Sequence, residues 1–98
     1  MQPKEAEMET DMIACAEAET LPGLFSCRVR KTPRSPAYRQ FDAEGGQWRH
    51  YTWEETAALV ARWQRALARE NLAPGERVAI LLRNSVEWVC FEQAALAL

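Results

Sequence analysis

Five apolar residues in a row, Val78-Ala79-Ile80-Leu81-Leu82, stand between Arg77 and Arg83 and leave no polar face for water. A half-exposed strand would alternate apolar with polar. A continuous run is how a strand covered on both faces reads, as in a parallel sheet with helices on each side. Asn84-Ser85 then offers a cap to a helix from Val86 onward. That helix carries Glu87, Glu92 and Gln93 and is otherwise apolar almost all round, through Trp88, Val89, Cys90, Phe91, Ala94, Ala95, Leu96, Ala97 and Leu98. Such a helix belongs in the interior of a larger body. A chain of 98 residues buries only about 60–65% of its unfolded surface. It offers the apolar run no parallel neighbour. The expected fold is therefore α/β, an incomplete first part of a larger protein.

Charge divides the chain in two. Residues 1–20 carry one cation, Lys4, against Glu5, Glu7, Glu9, Asp11, Glu17 and Glu19, a net −5, whereas residues 21–98 carry eleven cations and eight acids, a net +3. The opening has no aromatic residue and no sustained apolar face, so residues 1–19 read as an acidic flexible leader. It lacks the basic start and apolar run of a secretory signal and the arginines of a mitochondrial presequence. The near-balanced total charge of −2 gives no footing to a nucleic-acid coat. No stretch approaches the roughly 20 apolar residues of a membrane-spanning helix.

Cys15, Cys27 and Cys90 are odd in number and widely spaced, and His50 has no cysteine or histidine at ligand spacing. Three free thiols in a reducing cytoplasm follow, and no structural zinc. Cys90, inside an apolar stretch, reads as a small buried hydrophobe.

Organised structure is expected from Thr20, an N-cap with Pro22 in the first turn. Leu21, Leu24, Phe25 and Val29 recur at helical spacing up to the breaker Thr32-Pro33. Five basic residues from Arg28 to Arg39, with no acid among them, read as a solvated helix end rather than a phosphate site. The stretch from Tyr38 to Tyr51 alternates about Ala43-Glu44-Gly45-Gly46, which predicts a two-stranded hairpin with His50 in a cross-strand role. Thr52-Trp53-Glu54-Glu55 predicts a capping box opening a helix to about Asn71, with an apolar stripe of Trp53, Thr56/Ala57, Val60, Trp63 and Leu67. Adjacent Glu54 and Glu55 point about 100° apart on that helix and suit its positive end, not paired acid–base chemistry. Pro74-Gly75 turns the chain into the apolar run.

Taken together, the stretch from Thr20 to Leu67 and then LAPGERVAILLRNSVEWVCFEQAALAL resembles the N-terminal part of the adenylate-forming (AMP-binding) acyl-CoA synthetases. Within them it is most similar to the bacterial long-chain fatty-acid–CoA ligases. The resemblance is collinear over residues 20–98. It rests on the opening helix, the Tyr51-Thr52-Trp53 hairpin-to-helix junction, and the Pro74-Gly75 turn into Val78–Leu82 and Asn84-Ser85. It implies helix, hairpin, helix, buried parallel strand and helix, contributed to the large N-terminal domain.

The implied reaction has two steps: a carboxylate attacks the α-phosphate of ATP with Mg²⁺, releasing pyrophosphate, and coenzyme A thiol then displaces AMP from the acyl-adenylate. Its phosphate loop needs a Gly/Ser/Thr-rich stretch ending in Lys. Here glycine occurs only at 23, 45, 46 and 75, always in another setting. No catalytic, cofactor-binding or metal-binding residue is assigned, and the segment itself is expected to be structural and to bind no ATP, Mg²⁺ or CoA alone. The implied partners are the rest of the polypeptide, fatty acid, ATP and CoA, without nucleic acid. The implied setting is cytoplasmic, with room for peripheral contact at the inner membrane face. A different class, a small standalone interaction module docking through Trp88, Phe91 and Leu96, fits the same apolar helix.

Overall fold

The computed structural model describes residues 11–98; the first ten residues of the acidic leader lie outside the described part. Among the described residues six elements follow in order: α1 (Cys15–Ala18), α2 (Leu21–Lys31), β1 (Pro36–Asp42), β2 (Gln47–Thr52), α3 (Trp53–Ala68) and α4 (Val86–Leu96).

The hairpin forms as the alternation predicts. β1 and β2 are antiparallel, pairing Arg39 with His50, Gln40 with Arg49 and Phe41 with Trp48, with an irregularity between Pro36 and Tyr38. Asp42 closes the loop by accepting from the Glu44 amide at 3.1 Å and, through its carbonyl, from the Gly46 amide at 2.8 Å. Gly46 takes φ 65° there, a left-handed backbone that suits glycine.

The capping box at the hairpin-to-helix junction is present on both sides. The Glu55 amide donates to Thr52 Oγ1 at 3.1 Å, and the Thr52 amide donates to Glu55 Oε1 at 3.0 Å. Those two bonds satisfy first-turn amides that a helix cannot serve internally. One turn on, Thr56 is fully buried and its hydroxyl donates to the Thr52 carbonyl at 2.8 Å. The amides of Trp53 and Glu54 donate back to the carbonyls of Ser35 and Pro33, which ties the start of α3 to the entry of β1. The helix ends at Ala68, short of Asn71, which adopts φ 54° in the turn that follows.

The core lies between α3 and α4. Val60, Val86, Cys90 and Ala94 are buried together, with Tyr38, Leu59, Trp63 and Leu67 packed around them. Trp63 and Phe91 meet edge-on at 5.1 Å between centroids, the geometry that ring quadrupoles favour. Ser85 caps α4 through the Trp88 amide. The Val86 amide is served from far away in sequence: it donates to Gln40 Oε1 of β1 at 2.7 Å.

Two features depart from what the sequence pattern suggests. The first is the strand at Val78–Leu82. Residues 77–84 form no ladder with any described strand, and the sheet has two strands, β1 and β2. Leu81 is 98% exposed, and Val78 and Leu82 are exposed with it. Sheet hydrogen bonds need a neighbour, and the hairpin is occupied with itself, so the run has the composition of a buried strand without the partners that make one. The second concerns α2: Leu21 is 65% exposed and Leu24 42%, while the buried residue is Cys27. The helix turns Cys27 toward α1, its Sγ lying 3.9 Å from the Glu17 carbonyl oxygen. On α4, Phe91 is half-buried and rests edge-on against Trp63, while Leu96 is exposed.

Two stability tests follow. Gln40→Ala leaves the Val86 amide without its acceptor and should cost about 1–3 kcal/mol, whereas Gln40→Glu retains an acceptor and should cost much less; urea unfolding followed by circular dichroism distinguishes them. The Thr52 amide and hydroxyl hold the Glu55 carboxyl below its ordinary pKa. Its contribution is therefore full above the ordinary carboxylate range and lost as pH falls through the depressed value. Glu55→Gln keeps the capping geometry and should flatten that part of the acid side of the stability–pH curve.

Candidate functional site

An apolar cleft of about 470 Å³ opens where α2, β1, α3 and α4 converge. Trp53, first residue of α3, forms its floor, with Phe25 edge-on at 6.1 Å and Tyr38 edge-on at 5.7 Å. Leu21 and Leu24 of α2 and Leu96 of α4 supply the walls, and Ile13 closes one side. The half-exposed positions of α2 thus face a shared hollow.

The polar groups at this cleft have limited chemistry. Burial raises the pKa of the Tyr38 phenol, with the charges of Cys90 and Glu92 adding to the effect. The phenol therefore stays protonated near neutrality and is no base. Arg28 is engaged by Asp11, Nη1 to Oδ1 at 2.8 Å. The Gln93 side-chain oxygen is buried without a hydrogen-bond partner among the described residues. Nothing here pairs a nucleophile with a base.

The three cysteines separate by environment. Cys15 is exposed, whereas Cys27 and Cys90 are buried, all as free thiols. Burial pushes the Cys90 thiol up to about 11, with Glu87 adding a smaller effect, the opposite of what a nucleophilic cysteine requires. His50 is exposed on β2 across from Arg39. The basic run also disperses: Lys31 Nζ reaches Glu17 Oε2 at 3.2 Å, Arg30 donates to Cys27 Sγ at 3.3 Å, and Arg39 lies 5.5 Å above the Trp48 ring. No convergent anion site results. The cleft and the Asp11–Arg28 pair were both missed by the sequence reading, although the opposite charges of the leader and of α2 were visible there.

A second hollow, of about 280 Å³, lies between the apolar run and α4, lined by Val78, Ile80, Ala95 and Leu96 with Glu76 and Glu92 at its rim. Ile80 is half-buried there and no more. This face, unlike the cleft, combines exposed apolar side chains with backbone that has no ladder partner.

The family model of AMP-binding enzymes matches residues 25–98, from Phe25 in α2 through the hairpin, α3, the apolar run and α4. The chain belongs to the AMP-binding enzyme family. No curated protein and no solved structure matches it. AMP-binding enzymes are adenylate-forming and generally use ATP and Mg²⁺. The described residues of this chain do not fit either group. No three His, Cys, Asp or Glu side chains among them gather into a metal-holding cluster. Gly45 and Gly46 belong to the hairpin loop and Gly75 to the turn before the apolar run, so no glycine-rich loop is left to cradle phosphate. No helix among the described residues is long and apolar enough to cross a membrane.

The thiols offer a direct check. At neutral pH a thiol-alkylating reagent should modify exposed Cys15 first, and Cys90 far more slowly, because it is buried and its thiol is pushed up to about 11. Peptide-resolved mass spectrometry of a labelling time course reads both rates.

Proposed function

We propose that this chain is the N-terminal part of the large domain of an AMP-forming long-chain fatty-acid–CoA ligase and that its own role there is structural. The carrying observation is the apolar run: Leu81 is 98% exposed, and Val78 and Ile80 line a hollow against α4, although the run's composition suits a strand buried on both faces. A parallel neighbour from the remainder of such an enzyme would satisfy the backbone of residues 77–84 and cover Val78, Leu81 and Leu82 together. The family membership supports adenylate formation, and the collinear resemblance over residues 20–98 supports the fatty-acid branch. In this reading ATP, Mg²⁺, fatty acid and CoA are bound by residues outside this chain, in a cytoplasmic enzyme that meets its apolar substrate at the inner face of the membrane.

The standalone alternative, an interaction module docking through α4, draws on the exposure of Leu96, with Phe91 half-buried against Trp63 beside it.

Two measurements test the proposal. The reading frame following codon 98 should encode a further strand and then a Ser/Thr/Gly-rich loop ending in Lys. The enzyme it encodes should release pyrophosphate with long-chain fatty acid and ATP, then form acyl-CoA with CoA. A stop codon directly after Leu98, or turnover of short carboxylates alone, overturns the corresponding part. Calorimetry on residues 1–98 should show no ATP binding.

A further inference from the structure

We propose that residues 11–19 form a salt-labile strap that fastens across α2, shields Cys27 and walls one side of the apolar cleft. The strap lies ahead of the residues that match the AMP-binding family, so the inference stands apart from the ligase reading.

Charge complementarity is its first support. Asp11, Glu17 and Glu19 of the strap face a helix whose last turn carries Arg28, Arg30 and Lys31. Two of these acids are paired: Asp11 with Arg28 at 2.8 Å and Glu17 with Lys31 at 3.2 Å. Arg28 also donates through Nη2 to the Asp11 backbone carbonyl, so one guanidinium grips the strap at both side chain and main chain. The two pairs are spaced along the segment and fix it at both ends.

Its second support is steric. The strap returns to α2 through Glu19, at φ 64°, and Thr20, whose amide donates to the Ala18 carbonyl at 2.7 Å. This brings the Ala18 carbonyl so close to Gly23 that a Cβ at that position would run into its oxygen. Only a glycine at 23 lets the strap lie flat.

What the strap covers gives the third. Cys27 is 3% exposed, with the Glu17 carbonyl oxygen 3.9 Å from its Sγ. Ile13 lines the cleft beside Leu21, Leu24 and Phe25. The strap itself buries little: all its residues are exposed except Ile13 and Ala18, which are half-buried. A segment with so little apolar contact is held chiefly by its ion pairs. Pairs between partly exposed charges are individually weak and screened by salt. The strap therefore opens while the α3–α4 core stays closed, and opening widens access to Leu21, Leu24 and Phe25.

The test uses Cys27 as an internal reporter and Cys90 as the control for global unfolding, in the full chain with Cys15→Ser. Thiol labelling of Cys27 should rise roughly 3- to 10-fold between low and high salt, the range that two such pairs support, while Cys90 labelling stays flat. Asp11→Asn with Glu17→Gln should raise the low-salt rate to the same level and abolish its salt dependence. Exchanging the charges, Asp11→Arg with Arg28→Asp, should recover part of the protection that Arg28→Asp alone loses, the bond to the main-chain carbonyl at position 11 going with the guanidinium. Gly23→Val should unmask Cys27 at every salt concentration. A Cys27 rate indifferent to salt and to the paired neutralisation overturns the strap. So does a parallel rise of Cys27 and Cys90, which would report opening of the whole fold.

Discussion

A helix joins a core only if the amides of its first turn find acceptors, because those groups have no partner within the helix and cannot be buried bare. This requirement organises the whole molecule. The two helices that make the core both depend on the hairpin for it. Thr52, last residue of β2, caps α3 directly. Gln40, in the middle of β1, serves the first amide of α4 across a long sequence gap. The hairpin therefore does more than occupy an edge: it holds two helix starts in place, and the α3–α4 contact of Val60, Cys90 and Ala94 follows from that placement. The Trp63–Phe91 pair then closes the same interface from the side.

Local signals in the sequence were read well because each is complete within a few residues. The Thr20 cap with Pro22, the Thr52–Glu55 box, the four-residue loop about Gly45-Gly46 and the Ser85 cap all name both partners of a hydrogen bond at short spacing. The apolar stripe of α3 was equally legible, down to the burial of Thr56 and Val60. Signals that need a distant partner were not. Nothing at Gln40 marks it as an acceptor for Val86. The run at 78–82 shows that cover is required without saying where it comes from. In α2, Leu21, Leu24, Phe25 and Val29 recur at helical spacing, yet the buried position is Cys27, on the side where the Glu17 carbonyl lies.

The same division applies to function. Membership of the AMP-binding family rests on a pattern spread over residues 25–98, and most of that pattern is scaffold: caps, a turn, a core stripe. Such residues are diagnostic of a family without touching its chemistry, since they set where sheet and helices lie and leave the reacting groups to other segments. The buried thiol of Cys90 and the half-buried phenol of Tyr38 are both held in their neutral forms, and Glu55 at the start of α3 serves its backbone.

The exposed run at residues 78–82 has a consequence for the order of events during synthesis. In the proposed ligase, the unladdered amides and carbonyls of this run would offer the same template to a second nascent copy as to the strand that covers it there. Arg77 and Arg83 sit at its two ends, where in-register stacking of copies would bring like charges together. Those two guanidiniums act as bumpers there, discouraging association between chains without blocking the approach of a neighbour whose ends are neutral or acidic.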